Sequence, residues 1–268
     1  MGAYQLHSAK AGAARRWSLI TDPVGRPGWH QMAIDQALLD RAERTGEGAV
    51  RLYRWAPYCL SFGRNEPALR RYDRAAITRL GLDTVRRPTG GRAVWHAREL
   101  TYAVAAPVAW FGTLAESYRL IHSTIAAALQ EFGVGASLAG PAPALALNAG
   151  ACFASPAGGE VVVRGRKLLG SAQLCQGSAF LQHGSLLLED DQQLLKELSL
   201  GPAAESDEIT LSEAAGRPVA FEEVAALVAG QMGQWNGSWQ EGSAELDLEA
   251  AARAGAERFR DPAWTWRR

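Results

Sequence analysis

The chain has 268 residues, 47% of them hydrophobic and 21% charged, an ordinary composition for a globular protein with a sizeable core. Its 28 Lys plus Arg balance 28 Asp plus Glu, so no global field selects nucleic acid or a membrane surface. The 3 cysteines, Cys59, Cys152 and Cys175, lie far apart without a Cys-x-x-Cys pair, which argues against a disulfide framework or a structural zinc site and fits a reducing, cytoplasmic setting. The N-terminus lacks the apolar core of a signal peptide, and no apolar run approaches the ~18 residues of a membrane span.

Residues 1–15 show no periodicity and read as a loose tail. From Gly28, Met32, Ile34, Ala37 and Leu38 recur at helical spacing toward Gly46. Residues 50–53 and 59–62 read as short strands, and residues 70–80 as a helix closed by Gly81. A strand-like run over 83–87 enters the stretch Arg86-Arg87-Pro88-Thr89-Gly90-Gly91-Arg92-Ala93-Val94-Trp95-His96. A second run leaves it with Leu100, Tyr102 and Val104 on one face, so the pair reads as a hairpin.

Thr113 and Glu116 form a capping box for a long helix whose stripe, Leu114, Tyr118, Ile121, Ile125, Leu129 and Phe132, ends at Gly133. His122 lies just off that stripe and receives no role. Residues 139–151 form an Ala/Pro/Gly loop leading to Cys152. Runs over 160–164, 166–175 and 178–188, separated by Arg164-Gly165 and Gln176-Gly177, read as an antiparallel meander rather than a βαβ series. A short helix over 190–200, a second capping box at Thr210 and Glu213, and helices over 221–232 and about 243–259 complete the chain, with Asp261-Pro262 as the stop. Pro and Gly punctuation around 201–218 divides a catalytic body over 16–200 from a small helical subdomain or extension over 201–268.

Candidate chemistry concentrates in three places. The Arg-rich, Gly-Gly-containing stretch reads either as a turn with solvated arginines or as an anion-binding loop, since successive glycine amides can form a nest and arginines offer forked donors. Cys152, in a loop upstream of Lys167, is the nucleophile candidate because a nearby ammonium stabilises a thiolate; Cys59 and Cys175 read as core. Lys167 precedes the small-residue patch Gly170-Ser171-Ala172, where an acyl chain or a packed helix could lie against a strand. From the residues alone Lys167 is equally a solvated edge charge, and His183 is structural because no triad-like Asp is visible beside it.

Taken in register, the Arg86–His96 stretch, the 165–173 stretch and Gln182-His183-Gly184-Ser185-Leu186-Leu187 resemble the lipoate–protein ligase and octanoyltransferase superfamily, over roughly residues 17–235. Gly-Gly-Arg, Gly-Ser-Ala-Gln after the lysine, and the Cys152-Phe153-x-x-Pro156 loop are similar to its cysteine-dependent octanoyltransferase branch. The resemblance implies an α+β fold, a mainly antiparallel (mixed) sheet flanked by helices and related to biotin protein ligases, with a short helical C-terminal extension. It implies Cys152 as acyl-thioester nucleophile and Lys167 as the lysine that polarises the acyl carbonyl and favours the thiolate. Gly90, Gly91, Arg92 and His96 would line the acyl or pantetheine channel, and Arg87, Gly170, Ser171, Ala172, His183 and Gly184 complete the substrate-binding set.

The implied donor is an acyl carrier protein and the implied acceptor a lipoyl-domain protein such as the glycine-cleavage H protein. Arg86, Arg87 and Arg92 would steer the docking of these acidic partners. No metal, cofactor, nucleic acid or membrane is implied, and a cytoplasmic monomer is expected. The alternatives are an ATP- and magnesium-dependent lipoate–protein ligase, a lipoyl amidotransferase, and a non-catalytic lipoyl-domain-binding paralogue. Two departures stand out: Ala97 replaces the usual Asp after the motif histidine, removing an expected support for His96, and Glu66 stands where Gln is common.

Overall fold

The computed structural model describes residues 14–140, 158–189, 192–201, 207–241 and 245–268. The chain opens with strand β1 (Arg16–Arg26), helix α1 (Gly28–Thr45) and strand β2 (Gly48–Trp55), and β1 and β2 pair in parallel. This βαβ unit lies upstream of the meander, and its first strand is not foreseen in the sequence. Helix α1 ends where Gly46 takes φ 69, a left-handed cap that glycine adopts without steric cost.

Next come β3 (Cys59–Phe62), the short helices α2 (Ala68–Arg71) and α3 (Arg74–Arg79), β4 (Asp83–Arg86), β5 (Val94–His96) and β6 (Glu99–Pro107). The single helix expected over 70–80 is therefore two. Tyr72 is extended (φ −125, ψ 141) because its ring stacks near Phe62 and its hydroxyl donates to the buried Glu66, and Asp73 then caps α3 by accepting from the Ala76 amide.

Helix α4 (Leu114–Glu131) is capped by Thr113 as expected, and is followed by β7 (Ala136–Leu138), β8 (Val161–Val163), β9 (Arg166–Lys167), β10 (Leu169–Gln176) and β11 (Ala179–Leu187). The remaining elements are α5 (Gln193–Glu197), α6 (Leu211–Ala215), α7 (Phe221–Met232), β12 (Ser238–Glu241), α8 (Glu245–Arg260) and α9 (Pro262–Thr265). No helix among the described residues is long and apolar enough to cross a membrane.

A six-stranded mixed sheet, ordered β10-β11-β6-β2-β1-β12, forms the centre, with antiparallel pairing from β10 to β2 and parallel pairing from β2 to β12. Strand periodicity divides its side chains between two cores. Val50, Leu52, Tyr102 and Val104 meet Ile121, Ile125 and Leu129 of α4 and Val224 and Val228 of α7. Ala49, Tyr53, Ala103 and Ala105 meet Leu38, Leu39 and Ala42 of α1 and Ala252 and Phe259 of α8. Each fully buried leucine contributes about 1.5–3 kcal/mol by leaving water, so both helical layers are well anchored.

The expected hairpin around Gly90-Gly91 is not one. Strand β3 lies between β4, to which it is parallel, and β5, to which it is antiparallel, while β6 belongs to the main sheet. The intervening loop therefore crosses the end of β3, held by Arg87 N to Phe62 O at 2.9 Å and Arg64 N to Thr89 O at 2.8 Å. The meander does form, but it breaks at Leu168: β9 pairs with β8 and β10 with β11. Cys59 is buried as expected, whereas Cys175 is exposed on β10, an edge strand of the main sheet, and is not a core residue.

Candidate active site

A narrow cleft opens on the α1 face of the sheet, under the crossing loop. Seven residues expected in the site line it: Arg87, His96, Gly170, Ser171, Ala172, His183 and Gly184. Gly91, at φ 89, bends the loop over β10, and a Cβ built on it would lie 3.9 Å from that of Ala172. The loop seats on Gly63, where a Cβ would come within 1.9 Å of Gly91 O. Gly90 and Arg92 are tied in through their carbonyls, which accept from Arg87 Nη2 at 3.2 and 2.7 Å.

Lys167 is not among the lining residues. It is buried on β9, and its Nζ contacts Glu160 Oε1 at 2.7 Å. Cys152 lies outside the described residues.

Two hydrogen-bonded arrays line the cleft walls, and a third lies behind them on the α4 face of the sheet. In the first, Glu99 Oε1 accepts from His96 Nδ1 at 2.7 Å, from Ser185 Oγ at 3.0 Å and from Thr101 Oγ1. With Nδ1 carrying the proton, Nε2 is the acceptor and takes the Ser61 hydroxyl at 2.6 Å. Arg87 Nη1 in turn donates to Ser61 Oγ at 2.5 Å. Trp55 stacks on the imidazole at 4.0 Å. Burial pushes the His96 pKa below 6.5 although Glu99 pulls it up, so the ring is neutral near neutral pH. Glu99, three residues beyond the histidine, thus supplies the support that the Ala97 substitution was expected to remove, while Ala97 itself packs in a small apolar cluster.

In the second array, His183 Nδ1 donates to Asp35 Oδ2 at 2.8 Å, and its Nε2 faces Thr89 Oγ1 at 2.7 Å. Asp35 also accepts from Tyr53 OH at 2.9 Å and Arg51 Nη1 at 3.3 Å. The carboxylate absent from the sequence neighbourhood of His183 is therefore provided by α1. A signal for it exists: Gln31 and Asp35, both buried, are polar residues spaced i,i+4 on an otherwise apolar helix face.

The third array contains His122, to which the sequence assigned nothing. Gly159 O can only accept, so His122 Nδ1 carries the proton at 2.7 Å and Nε2 accepts from Ser171 Oγ at 2.9 Å. Gln182 Nε2 donates to Tyr102 OH at 2.7 Å, and Tyr102 OH to Ser171 Oγ at 2.8 Å. Gly184 makes this contact possible: a Cβ there would come within 2.3 Å of Ser171 Oγ and 2.7 Å of Tyr102 Cε1. Burial lowers the His122 pKa to about 4, opposed by the Gly159 bond and reinforced by Lys167.

Arg86 and Arg87 are buried and engaged within the fold, Arg86 donating to the carbonyls of Thr265, Gly63 and Glu66, and Arg87 to Ser61 and to the Gly90 and Arg92 carbonyls of the loop. They build the site rather than face a docking partner. Glu66 is also structural, accepting from Tyr72 OH at 2.9 Å and Gly63 N at 3.3 Å.

The architecture is that of the lipoate ligases. The crystal structure of lipoate-protein ligase A bound with ATP matches with a TM-score of 0.75 at 18% identity, covering 94% of this chain and 98% of that one. A chain from the structure of a bi-partite lipoate protein ligase and its E2 lipoyl domain from Thermoplasma acidophilum gives 0.69 at 16% identity, with 94% and 96% covered. The family model for the lipoyl protein ligase A/B catalytic domain matches residues 27–233, and the chain belongs to that family. Among curated relatives, the octanoyltransferase LipM of Kyrpidia tusciae is 37% identical over 233 residues, 80% of this chain and 84% of the relative. That of Symbiobacterium thermophilum is 38% identical over 227 residues, 77% and 81%. This chain is an enzyme of the same acyltransferase class.

Proposed function

We propose that this protein transfers an octanoyl group from an acyl carrier protein thioester to a lysine of a lipoyl-domain protein, of which the glycine-cleavage H protein is the type, without ATP. The observation that carries the proposal is the 37% identity to an octanoyltransferase across 80% of the chain. In the proposed route the Cys152 thiolate attacks the donor carbonyl, and the carrier's thiolate leaves. The acceptor ε-amine then attacks the enzyme thioester, the C–N bond forms, Cys152 departs as thiolate, and the amine's proton passes to it or to solvent. Converting a thioester to an amide is downhill, so no activated nucleotide is consumed. His183, Ala172 and Met32 line the cleft beneath the Gly90-Gly91 loop and are the wall against which an acyl chain would lie.

Intact mass after mixing the protein with octanoyl-acyl carrier protein tests this reading. A hydroxylamine-sensitive octanoyl adduct, lost in Cys152→Ala and retained in Cys59→Ala, is expected. An adduct that survives Cys152→Ala refutes the nucleophile. Lipoate-dependent pyrophosphate release with ATP, in place of any adduct, refutes the ATP-free route.

A further inference from the structure

Three exposed arginines gather around Trp264. Arg258 lies 3.7 Å and Arg267 3.9 Å from the centroid of the Trp264 ring, close enough that they must occupy its opposite faces. Arg267 Nη2 donates to Arg64 O, which brings Arg64 into the group. All three side chains belong to exposed residues. Besides burial, the influences on Arg258 are Arg64 and Arg267, and those on Arg267 are Arg268 and Arg64. Every one of these charged neighbours is cationic and lowers the pKa, so the patch is a local positive field in a chain of net charge +0.

The cluster is coupled to the site by short bonds. Trp264 Nε1 donates to Arg86 O at 3.0 Å, and Arg86 Nε returns a bond to Thr265 O at 2.9 Å. The Arg64 amide donates to Thr89 O at 2.8 Å, and the Thr89 hydroxyl reaches His183 in the cleft wall. The Arg64 backbone is therefore one hydrogen bond from Thr89, which contacts His183 of the cleft wall, and none of the three arginines lines the cleft.

We propose that Arg64, Arg258 and Arg267 form the docking surface for an acidic carrier-type protein domain that presents the acyl thioester to the cleft. The inference rests on the acyl-transfer reading above. A guanidinium stacked on indole is held flat with its N–H edges outward, already arranged for paired contacts with carboxylates. Two such forks, Arg258 and Arg267, with the exposed Arg64 beside them, match a surface of several carboxylates better than one phosphate, which a single pair of forks would satisfy. Docking beside the cleft also suits a donor whose acyl group travels on a flexible arm.

The test is fluorescence anisotropy of labelled octanoyl-acyl carrier protein titrated with the full chain. Raising salt from about 50 to about 300 mM should weaken wild-type binding about tenfold, because exposed ion pairs are screened over this range. The combined variant Arg64→Gln/Arg258→Gln/Arg267→Gln should bind about tenfold more weakly at low salt and lose most of the salt dependence. The corresponding Lys variant should keep most of both, which a merely structural role for the stacked arginines would not produce. Salt-independent wild-type binding, absence of binding, or a Gln variant that binds like wild type would overturn the proposal. The wild-type salt series decides even if the Gln variant does not fold. Transfer from the small uncharged donor octanoyl-N-acetylcysteamine to a lipoyl domain checks the acyl-transfer reading separately, so failure of that reading and failure of docking give different results.

Discussion

His122 makes a quantitative test of the site's architecture. Its imidazole is 0% exposed and its pKa falls from 6.5 to about 4, with burial as the largest cause. The unfolded chain takes up this proton as pH drops through about 6.5, and the folded chain only near 4, so between these values the unfolded state binds more protons and stability falls with acidification. With those two values the residue costs the folded state about 2 kcal/mol at pH ~5 relative to pH ~7.5. Glutamine at this position retains a donor and an acceptor but does not titrate. His122→Gln should lose about 1–2 kcal/mol near pH 7.5 through poorer hydrogen bonds to Gly159 and Ser171. The gap to wild type should then shrink by about 2 kcal/mol by pH ~5. Urea unfolding followed by tryptophan fluorescence at several pH values reads both numbers. The difference between the curves removes every other titrating group, including His96. A gap that stays constant with pH would mean that His122 titrates alike in both states, and would refute a neutral, buried imidazole here.

Other residues give sharper contrasts. Glu99→Gln replaces the carboxylate on which three donors converge and should lower the melting free energy by about 2 kcal/mol and octanoyl transfer at least about tenfold, with Glu99→Asp recovering part of both. Lys167→Met leaves the buried Glu160 without its ammonium and should destabilise by about 3–5 kcal/mol, with Lys167→Met/Glu160→Gln costing less than the sum of the single changes, as denaturant titrations would show. Gly63→Ala puts a methyl into the Gly91 carbonyl and should displace the crossing loop, cutting transfer more than about tenfold in steady-state assays. Iodoacetamide near pH 8 should alkylate the exposed Cys175 before Cys59, whose thiol pKa is raised well above 9 by burial and then by Asp83; peptide mapping gives the order.

Local rules carried much of the fold. The capping boxes at Thr113 and Thr210, the apolar stripe of α4 and the turns at Gly165 and Gly177 are written in adjacent residues, and the structure places helices and strands accordingly. The failures share one cause. Strand β1 has no clean alternation because its parallel partner β2 determines what it buries, and the supposed hairpin turned into a crossing because β3, some twenty residues upstream, inserts between β4 and β5. The same holds in the site. Seven of the expected residues line the cleft, but their partners come from afar: Asp35 meets His183 across 148 positions, and Ser171 meets His122 across 49. Only a buried polar pair on α1 and a charged residue starting an otherwise apolar β6 hinted at Asp35 and Glu99.

The arrays also decide what the histidines can do. His96 is engaged at both nitrogens by Glu99 and Ser61, His183 by Asp35 and Thr89, and His122 by Gly159 and Ser171, so none offers an unoccupied ring nitrogen to a substrate. Among the described residues, three hydroxyls face an accepting histidine nitrogen: Ser61 and Thr89, which are fully buried and do not line the cleft, and Ser171, whose hydroxyl points to the α4 face of the sheet with Tyr102 and His122. A base whose pKa is about 4 has little driving force to take a proton from a serine hydroxyl near neutral pH, where efficient bases lie close to the working pH. Ser171 is therefore a fixed structural hydroxyl, and an acyl-serine route through His122 is disfavoured. The arrays instead stiffen the walls, which preorganises donors without supplying the attacking group. The proposed Cys152 nucleophile stands outside all three arrays, and Cys152→Ala, set against Ser171→Ala with its thiol intact, separates the two cases: the serine variant should still form the octanoyl adduct, and an adduct lost in it but kept in the cysteine variant would reverse this argument.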